Sequence, residues 1–263
     1  MLLIACPAPA LNSSLPYLQS LLSTLGSASC LLRLFISTVA YSSPSRIILL
    51  RHGEKKNGYA LCDIGQERSI ALRDQYLGKG ATQSLFPKTP PSAIFATTLH
   101  TLELASPTAS SWDLPVITYA ALALPHETAS ESTEQVTRQT ELAAKDIMQS
   151  SQWNGKTIVM IWEHKHIANK KLSRDDLDHF VELRQLLKFD RLPENIKTKI
   201  PKTWSGANYN FFWIIDYDDK GNPIGFQEVR QNFTGKFANL PNNNWGEPEK
   251  LPANSDCKKW KGK

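Results

Sequence analysis

The stretch RIILLRHGE, residues 46–54, joins four apolar residues to a charged and polar group. A continuous apolar run such as 47–50 is typical of a strand that is buried on both faces of a parallel sheet. The polar residues after it then stand at the carboxyl end of that strand, where open α/β sheets bind their ligands. This one stretch therefore predicts both a class of fold and the position of a site.

Strand-like and helix-like segments alternate along the chain after this stretch. They are the helices 63–77, 98–110 and 133–149 and the strands 93–96, 116–119 and 157–162. This alternation predicts an α/β fold, a doubly wound and mostly parallel sheet with helices on both faces. A further helix is predicted over 176–189. The segments 211–217 and 224–229 flank a turn, and they predict a C-terminal β-hairpin at an edge of the sheet.

Composition divides the chain into three predicted parts. The 263 residues are 41% hydrophobic and 21% charged, as in ordinary globular proteins. Residues 1–45 contain no Asp, Glu or Lys and are predicted to lie outside the fold, while residues 46–249 form the predicted domain. Residues 250–263 carry five lysines against one aspartate and are expected to be a solvated, frayed basic tail. Because the net charge of +5 comes from the two ends, no nucleic-acid partner is predicted.

The first 45 residues leave the localisation open. They contain no run of about 20 apolar residues, so a transmembrane span is not expected. The segment 31–40 would suit the apolar region of an export signal, but the charged start of such a signal is absent at Met1. A cytoplasmic protein is favoured, and export is the alternative if residues 1–40 act as a signal. Four scattered cysteines without a CxxC pair predict neither a zinc ribbon nor a dense disulfide framework.

Two histidines follow two of the predicted strands. His52 comes after 47–50 and His164 after 157–162, so both are expected at the same edge of the sheet. The guanidinium of Arg51 matches phosphate oxygens in a bidentate way, and a neutral imidazole can accept a phosphoryl group. These residues predict a phosphate site. No metal site is predicted, because His164 and His166 would point to opposite faces of a continuing strand.

The chain resembles the histidine phosphatase superfamily, which has the phosphoglycerate mutase-like fold, over roughly residues 46–170. Residues 51–54, Arg-His-Gly-Glu, resemble the signature at the family's first strand. Residues 61–65, Leu-Cys-Asp-Ile-Gly, are similar to its Leu-Thr-x-x-Gly opening of the first helix, with Cys62 where Thr is usual.

The resemblance assigns roles to the residues that match. It implies that His52 is the nucleophile and carries a phosphohistidine. It implies that His164 donates to the phosphate oxygens and stabilises the transition state. Arg51, Gly53 and Glu54 would bind the substrate, and no cofactor would be needed.

One family position is changed in this chain. The family usually has a second phosphate-binding Arg after the second strand, and Thr101 stands at its place, beside His100. His100 and Thr101 are therefore predicted substrate contacts. Lys165, directly after His164, is predicted to restore positive charge. Further candidates for that role are His166, Arg68 and Arg138.

A carboxylic acid must protonate the leaving alkoxide, and the resemblance implies one from the connection after the third strand. Glu127 is the first choice. Glu131 and Glu134 lie nearby but suit an acidic loop before the next helix equally well.

The sequence thus predicts a phosphomonoesterase that acts through a phosphohistidine on a small phosphate ester. A mutase is an alternative, and a weak or inactive phosphate-binding protein is another, motivated by the missing Arg. A third alternative is an interaction protein that uses the hairpin and the basic tail. The substrate and the oligomeric state stay open.

Overall fold

The computed structural model describes residues 43–86, 88–122, 124–172 and 181–259. Its strands are β1 Arg46–Arg51, β2 Ala93–Ala96, β3 Val116–Thr118, β4 Thr157–Trp162, β5 Phe211–Tyr217 and β6 Pro223–Arg230. Its α-helices are α1 Asp63–Leu72, α2 Leu99–Ser111, α3 Ala129–Gln149, α4 His164–Ile167, α5 Leu183–Leu186 and α6 Glu194–Lys197.

The six strands form one sheet in the order β3-β2-β4-β1-β5-β6. The pairs β3-β2, β2-β4 and β4-β1 are parallel, and the pairs β1-β5 and β5-β6 are antiparallel. Parallel neighbours need crossover connections, which the helices supply. The predicted C-terminal hairpin is therefore present, and it extends the parallel strands on the β1 side.

Strand β1 is buried on both faces because its apolar side chains alternate between two cores. Ile47 and Leu49 pack into a core that includes residues of α3 and α5. Ile48 and Leu50 pack into a second core with residues of α1 and α2. Helices thus cover both faces of a mostly parallel sheet, and the predicted fold class is confirmed.

Helix boundaries differ from the predicted ones where side chains form caps. Helix α3 begins at Ala129 rather than at residue 133, because Thr128 and Glu131 form a capping box. The Glu131 carboxylate accepts from the Thr128 N–H at 2.8 Å, and the Thr128 hydroxyl oxygen accepts from the Glu131 N–H at 3.2 Å. Helix α1 begins at Asp63, as predicted, and continues as a π-helical turn over Arg73–Leu77.

Parts of two predictions fall outside the described residues. The predicted extension 1–45 overlaps them only at 43–45, and the predicted helix 176–189 overlaps them only from 181 onward. Within the latter overlap the chain forms α5 and then a 3-10 turn at Phe189–Arg191. No helix among the described residues is both long enough and apolar enough to span a membrane.

The described end of the chain, up to residue 259, is held against the domain. Cys257 forms a disulfide with Cys62, the residue before α1. The Asp256 carboxylate accepts from the Asp63 N–H at 3.1 Å and pairs with Lys56 at 3.2 Å. The expectation of a frayed tail is therefore wrong for the segment around Cys257, because a covalent bond and polar contacts hold it.

Candidate active site

His52 and His164 meet because β1 and β4 are adjacent parallel strands in register, with Arg51 opposite Trp162. His52 Nε2 lies 3.3 Å from His164 Nδ1, and the ring centroids are 5.5 Å apart. Strand β4 ends at Trp162, and His164 is the first residue of α4. The structure therefore brings the two predicted histidines together, with His164 on a helical turn rather than on a strand.

The hydrogen bonds of His52 leave a lone pair on Nε2. Its Nδ1 lies 2.7 Å from the Gly53 carbonyl oxygen, which only accepts, so Nδ1 carries the proton. Nε2 then accepts from Arg51 Nη2 at 3.0 Å and from His164 Nδ1. Burial, followed by the charges of Lys55 and Arg51, holds the pKa of His52 well below its ordinary value. The ring is neutral, and its unprotonated nitrogen, Nε2, faces the two N–H donors Arg51 and His164.

Arg51 is held in place by carbonyl groups of the loop that precedes β5. Its Nη1 donates to the carbonyls of Ser205 at 3.1 Å and Gly206 at 2.9 Å. The Tyr209 ring lies against the guanidinium, with 3.9 Å between its centroid and the Arg51 Cζ. The Nε of Arg51 has no hydrogen-bond partner among the described residues. Arg51 therefore keeps one unused N–H group, and its Nη2 contacts His52.

Glu163 is the carboxylate found beside His52, and it was not among the predicted site residues. Its Oε2 lies 3.4 Å from His52 Nε2. Lys55 Nζ lies 3.0 and 3.2 Å from its two oxygens, and the Thr98 hydroxyl donates to Oε1 at 3.0 Å. Burial raises the pKa of Glu163, but Lys55 and His164 outweigh burial and lower the pKa to about 2. Glu163 is therefore ionised at neutral pH.

A signal for Glu163 and Lys55 was present in the sequence. Glu163 directly precedes the second strand-end histidine, and Lys55 directly follows the Arg-His-Gly-Glu stretch. Two parallel strands with adjacent carboxyl ends also bring the residues next to the histidines together.

A cavity of about 320 Å³ opens over this group. Its lining includes His100, His164, Lys55, Glu163, Lys165 and Lys258. Glu163 is the sole carboxylate among the described lining residues. His52 is 2% exposed and contacts the cavity wall through Glu163 and His164.

The structure separates the two residues predicted at the place of the second Arg. His100 lines the cavity, and its Nε2 donates to the Asn57 carbonyl at 2.9 Å. Burial is the main cause that lowers the pKa of His100 to about 4, so its Nδ1 is an acceptor. Thr101 is fully buried, and its hydroxyl oxygen accepts from the N–H groups of Thr97 and Thr98 at the start of α2. Its side chain therefore caps a helix and is not directed to the cavity.

Glu54 lies in a buried ion pair rather than in the cavity. Its side chain is fully buried, and Arg68 Nη2 lies 2.6 Å from Oε1. This pairing also removes Arg68 as a replacement for the missing Arg. Gly53 contributes the carbonyl that orients His52, and a Cβ on it would lie 3.3 Å from the Gly65 Cα.

Glu127 is not brought to the histidines. It lines a second surface cavity, together with Glu131, Glu134 and Arg138, and Gln135 lines both this cavity and the one at His164. Its Oε1 accepts from Gln135 Nε2 at 2.6 Å, and no contact joins it to His52 or His164 in the described part of the chain. Arg138 lines the same second cavity and is not among the described residues that line the cavity at His164.

The two residues after His164 differ in exposure. Lys165 is exposed and lines the cavity, as its predicted role requires. His166 is buried, and its Nε2 lies 3.1 Å from the Thr137 hydroxyl. Burial is the main cause that lowers the pKa of His166 to about 4, so it adds no positive charge at neutral pH.

By distance alone, His52, Glu163 and His164 could hold a metal ion, since one ligand atom from each lies within 4.8 Å of the others. However, Arg51 already donates to His52, and Lys55 already pairs with Glu163. Because the cations Arg51 and Lys55 already lie beside these three ligand atoms, the group favours binding of an anion over binding of a metal cation.

Comparisons with known proteins give structural similarity only. No family model and no curated protein matches the chain. Among solved structures, the chain is similar to mycobacterial glucosyl-3-phosphoglycerate phosphatase with inorganic phosphate, with a TM-score of 0.41 and 13% identity over 71% of this chain and 97% of that one. It is also similar to mycobacterial hydrolase 2, with a TM-score of 0.41 and 14% identity over 73% of this chain and 92% of that one.

Proposed function

We propose that the protein is a phosphomonoesterase in which His52 is the nucleophile. The observation that carries this proposal is the lone pair on His52 Nε2, which faces Arg51 Nη2 at 3.0 Å and His164 Nδ1 at 3.3 Å. A neutral imidazole attacks phosphorus, and two nearby donors can then bind the oxygens of the transferred phosphoryl group. The resemblance to histidine phosphatases in residues 51–54 points to the same chemistry.

The reaction has two steps. Nε2 forms a P–N bond as the ester P–O bond breaks, and the leaving alkoxide takes a proton to become the free alcohol. Water then attacks the phosphohistidine, the P–N bond breaks, and inorganic phosphate leaves with His52 neutral again. Arg51 neutralises charge on the phosphoryl oxygens in both steps, and His164, whose pKa burial holds well below its ordinary value, donates a hydrogen bond to them as a neutral imidazole.

Lys55 is our candidate for the cation that replaces the missing Arg. Arg68 is committed to Glu54, Arg138 lies in another cavity, and the Lys55 ammonium lies within the site, 3.0 Å from Glu163. An incoming phosphate would compete with Glu163 for that ammonium. Lys55 would then bind the phosphate as a point charge rather than as a fork.

Glu163 is our candidate for the general acid, in place of Glu127. It is the carboxylate that lies beside His52 Nε2, whereas Glu127 has no contact with either histidine in the described part of the chain. When a phosphate draws Lys55 away and adds its own negative charge, the pKa of Glu163 rises. The proton can arrive with the substrate, because a phosphate monoester has a second pKa of about 6. Glu163 then passes this proton to the leaving oxygen.

A phosphate-binding protein without turnover is the second candidate. The ionised Glu163 carboxylate lies next to Nε2, and His52 is nearly inaccessible. If the Glu163 carboxylate stays beside His52 Nε2 when phosphate binds, the phosphate occupies the cavity without contacting His52.

The test compares the wild type with His52→Ala on phenyl phosphate. Loss of the nucleophile is expected to lower kcat/KM by on the order of 10³-fold or more. Acid-quenched wild type incubated with labelled substrate should carry a phosphohistidine that His52→Ala lacks.

The matched control is His126→Asn. His126 is exposed and lines the second cavity, and its φ of 72° suits Asn. Undiminished turnover in His52→Ala would remove the proposal. Phosphate binding by the wild type, without turnover or labelled histidine, would instead support the second candidate.

A further inference from the structure

The C-terminal segment crosses the rim of the candidate site and is fixed there at several points. The disulfide joins Cys257 to Cys62, at the start of α1. The backbone N–H of Lys258 donates to the Lys55 carbonyl at 2.6 Å. A residue near the end of the chain is thereby held beside the loop that follows the nucleophile.

Lys258 contributes a positive charge to the cavity. It is exposed, and it lines the same cavity as Glu163 and His164. Burial is the main cause that lowers the pKa of Lys55, and the Lys258 charge lowers it further. The Lys258 ammonium is therefore close enough to act on the groups inside.

Among the described residues, Lys258 has no ion-pair partner comparable to the one that Lys55 has. Lys55 lies 3.0 Å from the Glu163 carboxylate. Within residues 43–259, as far as they are described, no carboxylate forms an ion pair with Lys258 or with Lys165 on the cavity wall. The rim of the cavity therefore has positive charge beyond what one bound phosphate would use.

We propose that Lys258 is a specificity-determining residue, which binds a second anionic group of the substrate and is held in place by the Cys62–Cys257 disulfide. The proposal rests on the proposed function, since it assumes that the inner group at Arg51 and His164 takes a phosphate. The substrate class is then a phosphate monoester whose alcohol part carries a carboxylate or another anion.

The test is a binding measurement with two matched, non-hydrolysable probes. Phenylphosphonate offers the inner site one anion, and 3- or 4-carboxyphenylphosphonate adds a second one toward the rim. Calorimetry on the wild type should give tighter binding of at least one carboxylated isomer. In Lys258→Ala, the ratio of the two affinities should fall about fivefold, as expected for a partly exposed ion pair.

Two further variants serve as a control for the lysine and as a test of the disulfide. Lys259→Ala removes an adjacent exposed lysine that is not among the described cavity residues, and it should leave the ratio unchanged. Cys257→Ser should lower the ratio as Lys258→Ala does, and the double variant should show no additional loss. Circular dichroism would confirm that each variant is folded.

The outcomes separate this proposal from the proposed function. An unchanged ratio in Lys258→Ala, an equal fall in Lys259→Ala, or no binding of either probe to the wild type would overturn it. Retention of the ratio in Cys257→Ser would overturn the role of the disulfide. A wild type that binds the carboxylated probe through Lys258 but hydrolyses no ester would support this proposal and remove the phosphatase assignment.

Discussion

His52 depends on its hydrogen bonds for its reactivity. The Gly53 carbonyl accepts a hydrogen bond from Nδ1–H, which leaves Nε2 as the unprotonated nitrogen. Burial and the neighbouring cations Lys55 and Arg51 disfavour the imidazolium. His52 is therefore neutral at pH values at which an ordinary histidine is largely protonated.

This arrangement predicts activity that persists into acid. The neutral form of His52 is the reactive one, and its pKa is lowered, so the rate is lost only as the pH falls through a value below 6.5. After correction for the ionisation of phenyl phosphate itself, whose second pKa is about 6, the acid limb of kcat/KM should have its midpoint below pH 6.5. Buried neutral histidines also cost stability in acid, so circular dichroism must confirm folding at each pH. A midpoint at or above 6.5 would contradict the prediction.

Glu163→Gln tests the general acid by its dependence on the leaving group. An amide keeps the shape of the side chain but cannot protonate the alkoxide. Turnover of glycerol 2-phosphate, which has a strongly basic leaving group, should fall by about 10²-fold. Turnover of p-nitrophenyl phosphate, which has a weakly basic one, should fall much less.

The control for Glu163→Gln is Glu127→Gln, which is expected to change neither rate because Glu127 lines another cavity. Equal losses on both substrates in Glu163→Gln would exclude the acid role. A leaving-group-dependent loss in Glu127→Gln would restore the sequence-based assignment.

At the scale of elements, the Glu54–Arg68 pair joins the end of β1 to helix α1. Arg68 also donates to Gln231 Oε1 at 3.0 Å and to the Pro241 carbonyl at 2.8 Å. A Cβ on Gly65 would lie 2.3 Å from the Glu54 carbonyl oxygen, so the helix can approach the loop only with glycine there. The loop that carries the nucleophile is therefore held by packing and by one buried cation.

Removal of that cation should be strongly destabilising. Arg68→Ala leaves the Glu54 carboxylate buried without its partner, so the free energy of unfolding in urea should fall by about 3–5 kcal/mol. The control is Arg73→Ala, which breaks the partly exposed pair with Asp74 and should cost at most about 1 kcal/mol. Similar losses in the two variants would show that the buried pair contributes no more to the free energy of unfolding than the partly exposed pair does.

At the scale of the whole molecule, the Cys62–Cys257 disulfide joins residues 195 positions apart. Such a disulfide reduces the conformational entropy of the unfolded chain. Disulfides form and persist in oxidising compartments. The disulfide therefore favours the exported alternative over the cytoplasmic expectation. Because Lys258 directly follows Cys257, the bond that is expected to stabilise the domain also holds the backbone of Lys258 in place.

Reduction of this bond should lower the free energy of unfolding by about 2–5 kcal/mol. Urea unfolding with and without dithiothreitol would measure the change. The double variant Cys62→Ser with Cys257→Ser should unfold like the reduced wild type and should not respond to the reductant. Identical unfolding of the wild type in both conditions would contradict a stabilising role for the bond.

Local patterns in the sequence were enough for the sheet and for the two histidines. The apolar run 47–50 is typical of a strand covered on both faces, and His52 and His164 follow two such strands. Apolar runs and their periodicity are properties of neighbouring residues, so strands and helices can be deduced from the order of residues alone.

Only the tertiary structure decided which charges meet. Glu163 and Lys55 form the ion pair beside the nucleophile, and Arg68 is committed to Glu54. Ion pairs and disulfides depend on the distance between residues far apart in the chain, and that distance is set by strand register and by the path of loops. The sequence determined that His52 and His164 follow two neighbouring strands, whereas the packing of the finished domain determined which side chains surround them.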